Sequence, residues 1–188
     1  MDYFTSDLHY RHEKMVAIRG FSSVDEMDEK VTESINNTVT EADNLYIIGD
    51  TVWKQNDPLF KKLFSSIKAK KILIQGNHDL IGKRGHLSWI DLLDEFHPSL
   101  IRTFDTEAGK QVVHMYHYPI GHWYQQHRGT WHLHGHLHGS DSMIPGKILD
   151  VGWDVWRKPI SINEIKSIMD TKPIRANHHH EKWLKDDD

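Results

Sequence analysis

Acids, amides and imidazoles recur along this chain in five short blocks: Asp7-Leu8-His9, Gly49-Asp50, Gly76-Asn77-His78-Asp79, His117 and Gly135-His136-Leu137-His138. Carboxylate oxygens and neutral imidazole nitrogens are ligands shared by divalent Mn, Fe, Co, Ni and Zn. Asp7 and His9 stand two apart, as do His136 and His138, so on an extended strand each pair shares a face. Asp7, His9, Asp50, Asn77, His117, His136 and His138 are too many for one metal with an open position. They are enough for two metals sharing one bridging carboxylate. Two ions ~3.5–4 Å apart clamp the attacking and leaving oxygens of an in-line displacement and make hydroxide available near neutral pH. With 16 histidines and no cysteine, the chain offers imidazole without thiolate. That excludes disulfides, cysteine nucleophiles and cysteine-ligated clusters.

Such residues act together only if the chain gathers them, and the elements between the blocks say how. Short apolar runs alternate with helical patterns, which predicts an α/β class. Strands are expected over Tyr3–Ser6, Leu45–Ile48 and Lys71–Gln75, each ending at a polar block. Ser23 three residues before Glu26 is a capping-box spacing, and Val24, Met27, Val31 and Ile35 bury one helical face. Asp57-Pro58 opens a second helix to about Ile67, and Leu87–Phe96 reads as a short third. Beyond it, strands are expected over Leu100–Phe104, Gln111–Tyr116, Thr130–His134 and Ile148–Trp153, with a turn at Glu107–Lys110. Ser161 and Glu164 form a second capping box, opening a helix to about Met169. Open α/β sheets gather ligands at the carboxyl ends of strands, so the five blocks are expected to meet in one crevice.

Taken in order, these blocks resemble the calcineurin-like metallophosphoesterase superfamily. The outer segments 19–27 and 151–156 look like its small stand-alone bacterial and phage members. The resemblance implies an α/β fold: a four-layer α/β/β/α sandwich of two mixed sheets flanked by helices. It implies that Asp7, His9 and His138 hold one divalent ion, Asn77, His117 and His136 a second, and Asp50 bridges them. Manganese is expected first, with Fe, Co, Ni or Zn as alternatives. His78 is implied as the proton or hydrogen-bond donor to the leaving oxygen, its ring oriented by Asp79; a neighbouring carboxylate favours the charged imidazole. The implied activity is phosphate-ester hydrolysis by a metal-bridging hydroxide. A small nucleotide-type diester is the preferred substrate, a phosphomonoester the alternative, and a non-catalytic metal-binding scaffold the third reading.

Two departures narrow this. Gly49-Asp50 continues as Thr51-Val52-Trp53-Lys54, without the Asp-Arg-Gly that marks Ser/Thr protein phosphatases, so a phosphoprotein substrate is not expected. Between His117 and Gly135 there is no room for an added domain, which needs ~50 residues or more; an open site is expected.

His12 and Arg11 are candidate substrate-binding residues, because Arg suits planar anion contacts. Arg19 and Arg84 are weaker candidates. His122, Trp123 and Tyr124 are expected to fold over the core, and His114 to face away from His117. His132 and His134 are expected to pack, with a role for one of them as a partner of a ligand as the alternative. Trp153 and Trp156 are expected in the core.

At 188 residues the chain fits one domain, assigned to residues 1–170. Residues 171–188 are expected to be a partly mobile tail with His178, His179 and His180 as solvated residues. A net charge of −4 gives no duplex nucleic-acid footprint. No apolar run approaches the ~18 residues of a membrane span. The N-terminus does not read as a signal peptide, and a cytoplasmic location is expected.

Overall fold

Alternation along the buried strands sorts their side chains to two sides. Leu45, Ile47 and Leu73 face one way; Phe4, Tyr46, Ile48, Ile72 and Ile74 face the other. The computed structural model describes residues 1–79 and 87–175. In it those residues lie on a five-stranded sheet of order β4-β3-β2-β1-β9, built from β1 (Asp2–Thr5), β2 (Asn44–Ile48), β3 (Lys70–Ile74), β4 (Glu95–His97) and β9 (Ile160–Ser161). β9 alone runs antiparallel to its neighbour. A second sheet has the order β5-β6-β7-β8, from β5 (Leu100–Thr106), β6 (Gly109–Met115), β7 (Trp131–His134) and β8 (Ile148–Asp150). Here β5 and β6 form an antiparallel hairpin, and β6, β7 and β8 are parallel. The protein has an α/β fold with two mixed sheets.

The layers follow from the two apolar faces. Helices α2 (Val24–Asn36) and α3 (Pro58–Ser65) cover the first sheet with Val31, Ile35, Phe60 and Phe64. Helix α1 (Glu13–Arg19) packs on α2. The other face meets Phe104, Val113, Met115, Trp131 and Leu133 of the second sheet, together with Ile162, Ile165 and Met169 of α5 (Ile162–Asp170). Each such side chain, fully buried, contributes roughly 1.5–3 kcal/mol of transfer free energy. The outer face of the second sheet carries His114, His132 and His134. Over it lies the 118–130 segment, with Trp123 5.6 Å from His132 and one 3-10 turn at Gln126–Arg128. That fourth layer is thin.

Local signals account for most element boundaries. Ser23 accepts from the Glu26 N–H, but the Glu26 carboxylate takes the Ser22 N–H instead of closing the box on Ser23. Asp57 caps α3 at the Leu59 and Phe60 N–H groups. Ser161 and Glu164 make the full reciprocal box. The expected helix over 87–96 is not formed. Leu87 and Trp89 turn into the helix-side core, a 3-10 turn spans Ile90–Leu92, and Glu95–His97 pairs with β3. The apolar spacing there reported burial, and the open edge of β3 supplied backbone partners that a helix would have left unpaired. The expected strand to Trp153 stops at Asp150 and gives way to α4 (Trp153–Trp156).

Of the expected tail, residues 171–175 lie against the body. Lys172 Nζ reaches the Ile148 carbonyl, and Arg175 donates to the Gly121 carbonyl at 2.8 Å. His178, His179 and His180 lie outside the described residues, as do Arg84 and the rest of the tail.

Candidate metal centre

Each polar block follows the carboxyl end of a parallel strand: Asp7 after β1, Asp50 after β2, Asn77 after β3, His117 after β6, and His136 and His138 after β7. They converge in one crevice. The pairing of Asp7 with His9, and of His136 with His138, does not come from strand alternation as expected, because β1 ends at Thr5 and β7 at His134. Instead Asp7, His9, Arg11, Asp50, His136 and His138 all take positive φ, between 50° and 71°. Left-handed residues alternate with ordinary ones and aim every second side chain inward. Non-glycine residues in this region carry local strain that the surroundings must hold. Gly135 belongs to the same device: a Cβ there would collide with Ser6 and Asp7.

Donor atoms cluster in two overlapping groups. In the first, His9 Nε2 lies 3.3 Å from His138 Nε2, and both lie 4.0 Å from Asp7 Oδ1. In the second, His117 Nε2 lies 3.0 Å from Asn77 Oδ1 and 3.5 Å from Asp50 Oδ1, with His136 Nδ1 3.1 Å from Asn77 Oδ1. Asp50 spans both, because its Oδ2 is 3.8 Å from His9 Nε2. Asp7 also joins both, standing close to Asp50 and His117. Ligands on one ion at ~2.0–2.2 Å bonds lie no more than ~4.4 Å apart, and these spacings fit.

The tautomers support the same fit. His117 Nδ1 donates to the Ile48 carbonyl at 2.8 Å, so its Nε2 turns a lone pair toward Asn77 Oδ1. His138 Nδ1 donates to Asp154 at 2.7 Å, so its Nε2 turns a lone pair toward His9. Where the His117 lone pair meets the Asn77 oxygen, acceptor faces acceptor, and a positive charge between them, either a proton or a metal cation, satisfies both. A second hydrogen bond of this kind is how ligating histidines are usually held. The His117 pKa shows the demand: burial lowers it, but the hydrogen bond to Asp50 and the charges of Asp50 and Asp7 push it up to about 8. Burial pushes Asp7 up to about 6. Burial also acts upward on Asp50, and the His117 hydrogen bond and charge outweigh it, holding the carboxyl down at about 2. Burial takes His9 down to about 3, keeping it neutral as a ligand must be.

Three sequence expectations need correction. Asp79 does not orient the His78 ring. It is buried, and its two oxygens accept the N–H groups of Asp50 (2.8 Å), Thr51 (2.9 Å) and Gly76 (2.9 Å). It therefore ties the end of β2 to the end of β3. Arg11 is not free for substrate. Its guanidinium is held by Asp25, Asp28 and Asp57 at 2.5–3.2 Å, which fastens the loop before α1 to α2 and to the start of α3. Arg19 is neither a surface charge nor a substrate contact. Its side chain is buried and bonds Asp154 with two nitrogens (2.8 and 2.9 Å) and the Leu8 and Asp7 carbonyls.

Asp154 is the residue the sequence reading missed. It links buried Arg19 to His138, so one carboxylate holds the Asp7–His9 loop and a ligand together. Its signal was present, since Arg19 and Asp154 each fall in one of the two outer segments, but only contact reveals the pair.

The remaining candidates sort cleanly. His78 is one-third exposed, its Nε2 3.7 Å from Asp50 Oδ2. His12 lies beside it at the rim, 3.2 Å from His9 Nδ1 and stacked on Trp53 at 4.2 Å between ring centres. Burial, then the His78 charge, lower its pKa. His114 faces away, as expected. His132 is buried; its Nδ1 donates to the His114 carbonyl and its Nε2 accepts from the Ile120 N–H, which pins the chain after His117. Trp123 covers the sheet, while His122 and Tyr124 are exposed. Trp153 is in the helix-side core, and half-buried Trp156 packs against the core between the sheets.

No family model matches this chain. It is 27% identical over 205 aligned positions to the Gene 66 protein of Mycobacterium phage L5, covering 96% of each. It is 31% identical over 85 residues to an uncharacterised protein of Methanocaldococcus jannaschii, spanning 48% of that relative's length and 44% of its own. Among solved structures, a protein of unknown function from Aquifex aeolicus superposes with a TM-score of 0.69 at 22% identity, covering 89% of this chain and 98% of the other. That likeness shows a shared fold. Among the described residues, no helix is long and apolar enough to cross a membrane.

Proposed function

We propose that this protein is a dinuclear-metal-dependent phosphoesterase that prefers phosphodiesters. The observation that carries the reading is the pair of donor clusters sharing Asp50, with the His117 lone pair turned toward the Asn77 oxygen. Asp7, His9 and His138 would hold one divalent ion and Asn77, His117 and His136 the other. When bound, such a pair activates water near neutral pH and neutralises charge on the phosphoryl oxygens.

The protein's own groups do the rest. Asp79 fixes the Asp50 and Gly76 backbones, so the shared carboxylate and the Asn77 amide keep their separation. His78 stands on the open side, where its ring can hydrogen-bond the departing ester oxygen; an alkoxide leaves poorly without such a donor. His12, stacked on Trp53, completes that rim. The Ser6 hydroxyl is committed to Asp7 and is not available as a nucleophile. Beyond Tyr118, the 119–130 segment lies over the outer face of the second sheet, so among the described residues it adds no cap over the crevice, which suits both arms of a diester.

The test is hydrolysis in Mn²⁺ of bis-p-nitrophenyl phosphate against p-nitrophenyl phosphate, with metal analysis after exhaustive dialysis. About two ions retained per chain and a faster diester rate are expected. A much faster monoester rate overturns the diester preference. Two tight ions with neither ester hydrolysed would favour the scaffold reading.

A further inference from the structure

Beside the second donor cluster lies a cleft of about 270 Å³, lined by Gln75, Gly76, Asn77, Pro98, Tyr116 and Tyr118. Two of its walls belong to the site itself, since Gly76 and Asn77 are in the third polar block. The Tyr118 ring meets the His136 ring edge to face at 4.6 Å, and the Tyr116 ring lies 5.7 Å from that of Tyr118. The wall is also preformed: buried His132 holds the Ile120 N–H just beyond Tyr118, and the Tyr116 N–H is tied to the Leu133 carbonyl. Half-buried Tyr116, Tyr118 and Gln75 make no side-chain hydrogen bond within the described residues. Two aromatic faces with unspent hydroxyl and carboxamide groups are what a planar, hydrogen-bonding ring requires. Apolar walls with a few convergent polar groups are the usual form of a small-ligand pocket, and aromatic rings stack on bases of any sequence.

We infer that this cleft binds the nucleobase of the ester's retained arm, making the protein selective for nucleotide-type diesters. This rests on the phosphoesterase reading and adds a specificity site to it. Tyr118 supplies the stacking wall, with Gln75 and Tyr116 reaching the polar edge of the ring. The opposite rim, Trp53 and His12 beside His78, is left to the departing arm.

Two chromogenic esters separate the arms, because both release p-nitrophenolate: the p-nitrophenyl ester of thymidine 5′-monophosphate and methyl p-nitrophenyl phosphate. The expected result is a kcat/KM at least ten-fold higher for the nucleoside ester. Tyr118→Ala should lower that ratio ten-fold or more, and Tyr118→Phe should keep most of it. Equal rates on the two esters in the unmutated protein overturn the cleft and leave the phosphoesterase reading standing. So does an equal loss on both esters in Tyr118→Ala, which would mean that Tyr118 acts by holding His136. If neither ester is hydrolysed, the phosphoesterase reading fails, and equilibrium binding of thymidine 5′-monophosphate to the metal-loaded protein decides the cleft. Binding that Tyr118→Ala weakens ten-fold supports it; no binding, or binding untouched by the substitution, overturns it.

Discussion

The β5–β6 hairpin and the ends of the parallel strands are built on opposite plans. The hairpin pairs seven residues with seven, from Leu100 against Met115 to Thr106 against Gly109, and exposes one face. Regular pairing, continued from β6 into β7, meets its backbone hydrogen-bonding needs, and the hairpin supplies none of the candidate ligands. The strand ends leave regular pairing early, place non-glycine residues at positive φ, and bury Asp7, Asp50, Asp79 and His117 where only specific partners satisfy them. Regular pairing stabilises cheaply but presents side chains only in alternation. Irregular ends can aim five separate segments at one point, and each aim must be held by something else.

If that contrast is right, damage at the strand ends should be severe and damage on the hairpin slight. Asp50→Asn should show the largest effect on activity: hydrolysis of bis-p-nitrophenyl phosphate falling by about three orders of magnitude, with metal content reduced in the same preparation. Retention of both ions and full turnover would remove Asp50 from the centre. Arg19→Met leaves the largely buried Asp154 with only the weaker His138 bond, which should cost up to the roughly 3–5 kcal/mol of a broken buried pair. Chemical denaturation should show that loss, and His138 should hold its ion more weakly. A cost under 1 kcal/mol would mean that the pair does not hold the loop. His78→Ala should lower kcat by about 10²–10³ while both ions stay bound, the range for removing one proton donor. A variant that loses metal instead would make His78 a ligand.

On the hairpin, Arg102→Ala removes the bonds to Glu95 (2.8 Å) and to the Tyr46 hydroxyl (2.9 Å) and should leave diester turnover unchanged. The Arg102 hydrogen bond, then that of His97, hold the Glu95 carboxyl below its ordinary value. A carboxyl held low contributes stability above its unfolded pKa of ~4.3 and loses it as pH falls further. With Glu95 more than a third exposed, solvent screening keeps the effect under about 1 kcal/mol. That share should be measurable near pH 7 by denaturation and vanish in acid, leaving only what the Tyr46 bond contributes. A cost well above about 1 kcal/mol that persists in acid would mean that the hairpin is held to the first sheet by more than these contacts.

Much of the scaffold was legible because its signals are local. Asp57-Pro58 and Ser161–Glu164 announce helices through bonds closed within a few residues, and the apolar runs ending at Asp50 and Asn77 mark strands wherever the rest of the chain goes. The segment 87–96 was misread because its apolar residues report burial without saying whether a helix or an unpaired strand edge takes them. At the site, the candidate ligands and their meeting in one crevice were legible. The roles of Asp79, Arg11 and Arg19 were not, since a charged residue looks the same in sequence whether it faces a substrate or a buried partner. Asp154 lies 135 positions from Arg19, and no local pattern joins them. Nor does spacing show that Asp7 and His9 share a face through left-handed backbone instead of strand alternation.

The Arg19–Asp154–His138 link also fixes an order of events during synthesis. Residue 154 leaves the ribosome 147 positions after Asp7, a delay of roughly 7–30 s at ~5–20 residues per second. Until then the Asp7–His9 loop has neither its buried carboxylate anchor nor His136 and His138 beside it. A nascent chain can form the paired strands β1, β2 and β3 well before its donor atoms are brought together. On the dinuclear reading, metal capture would follow assembly, and a chain truncated before residue 154 should keep strand structure yet hold metal poorly.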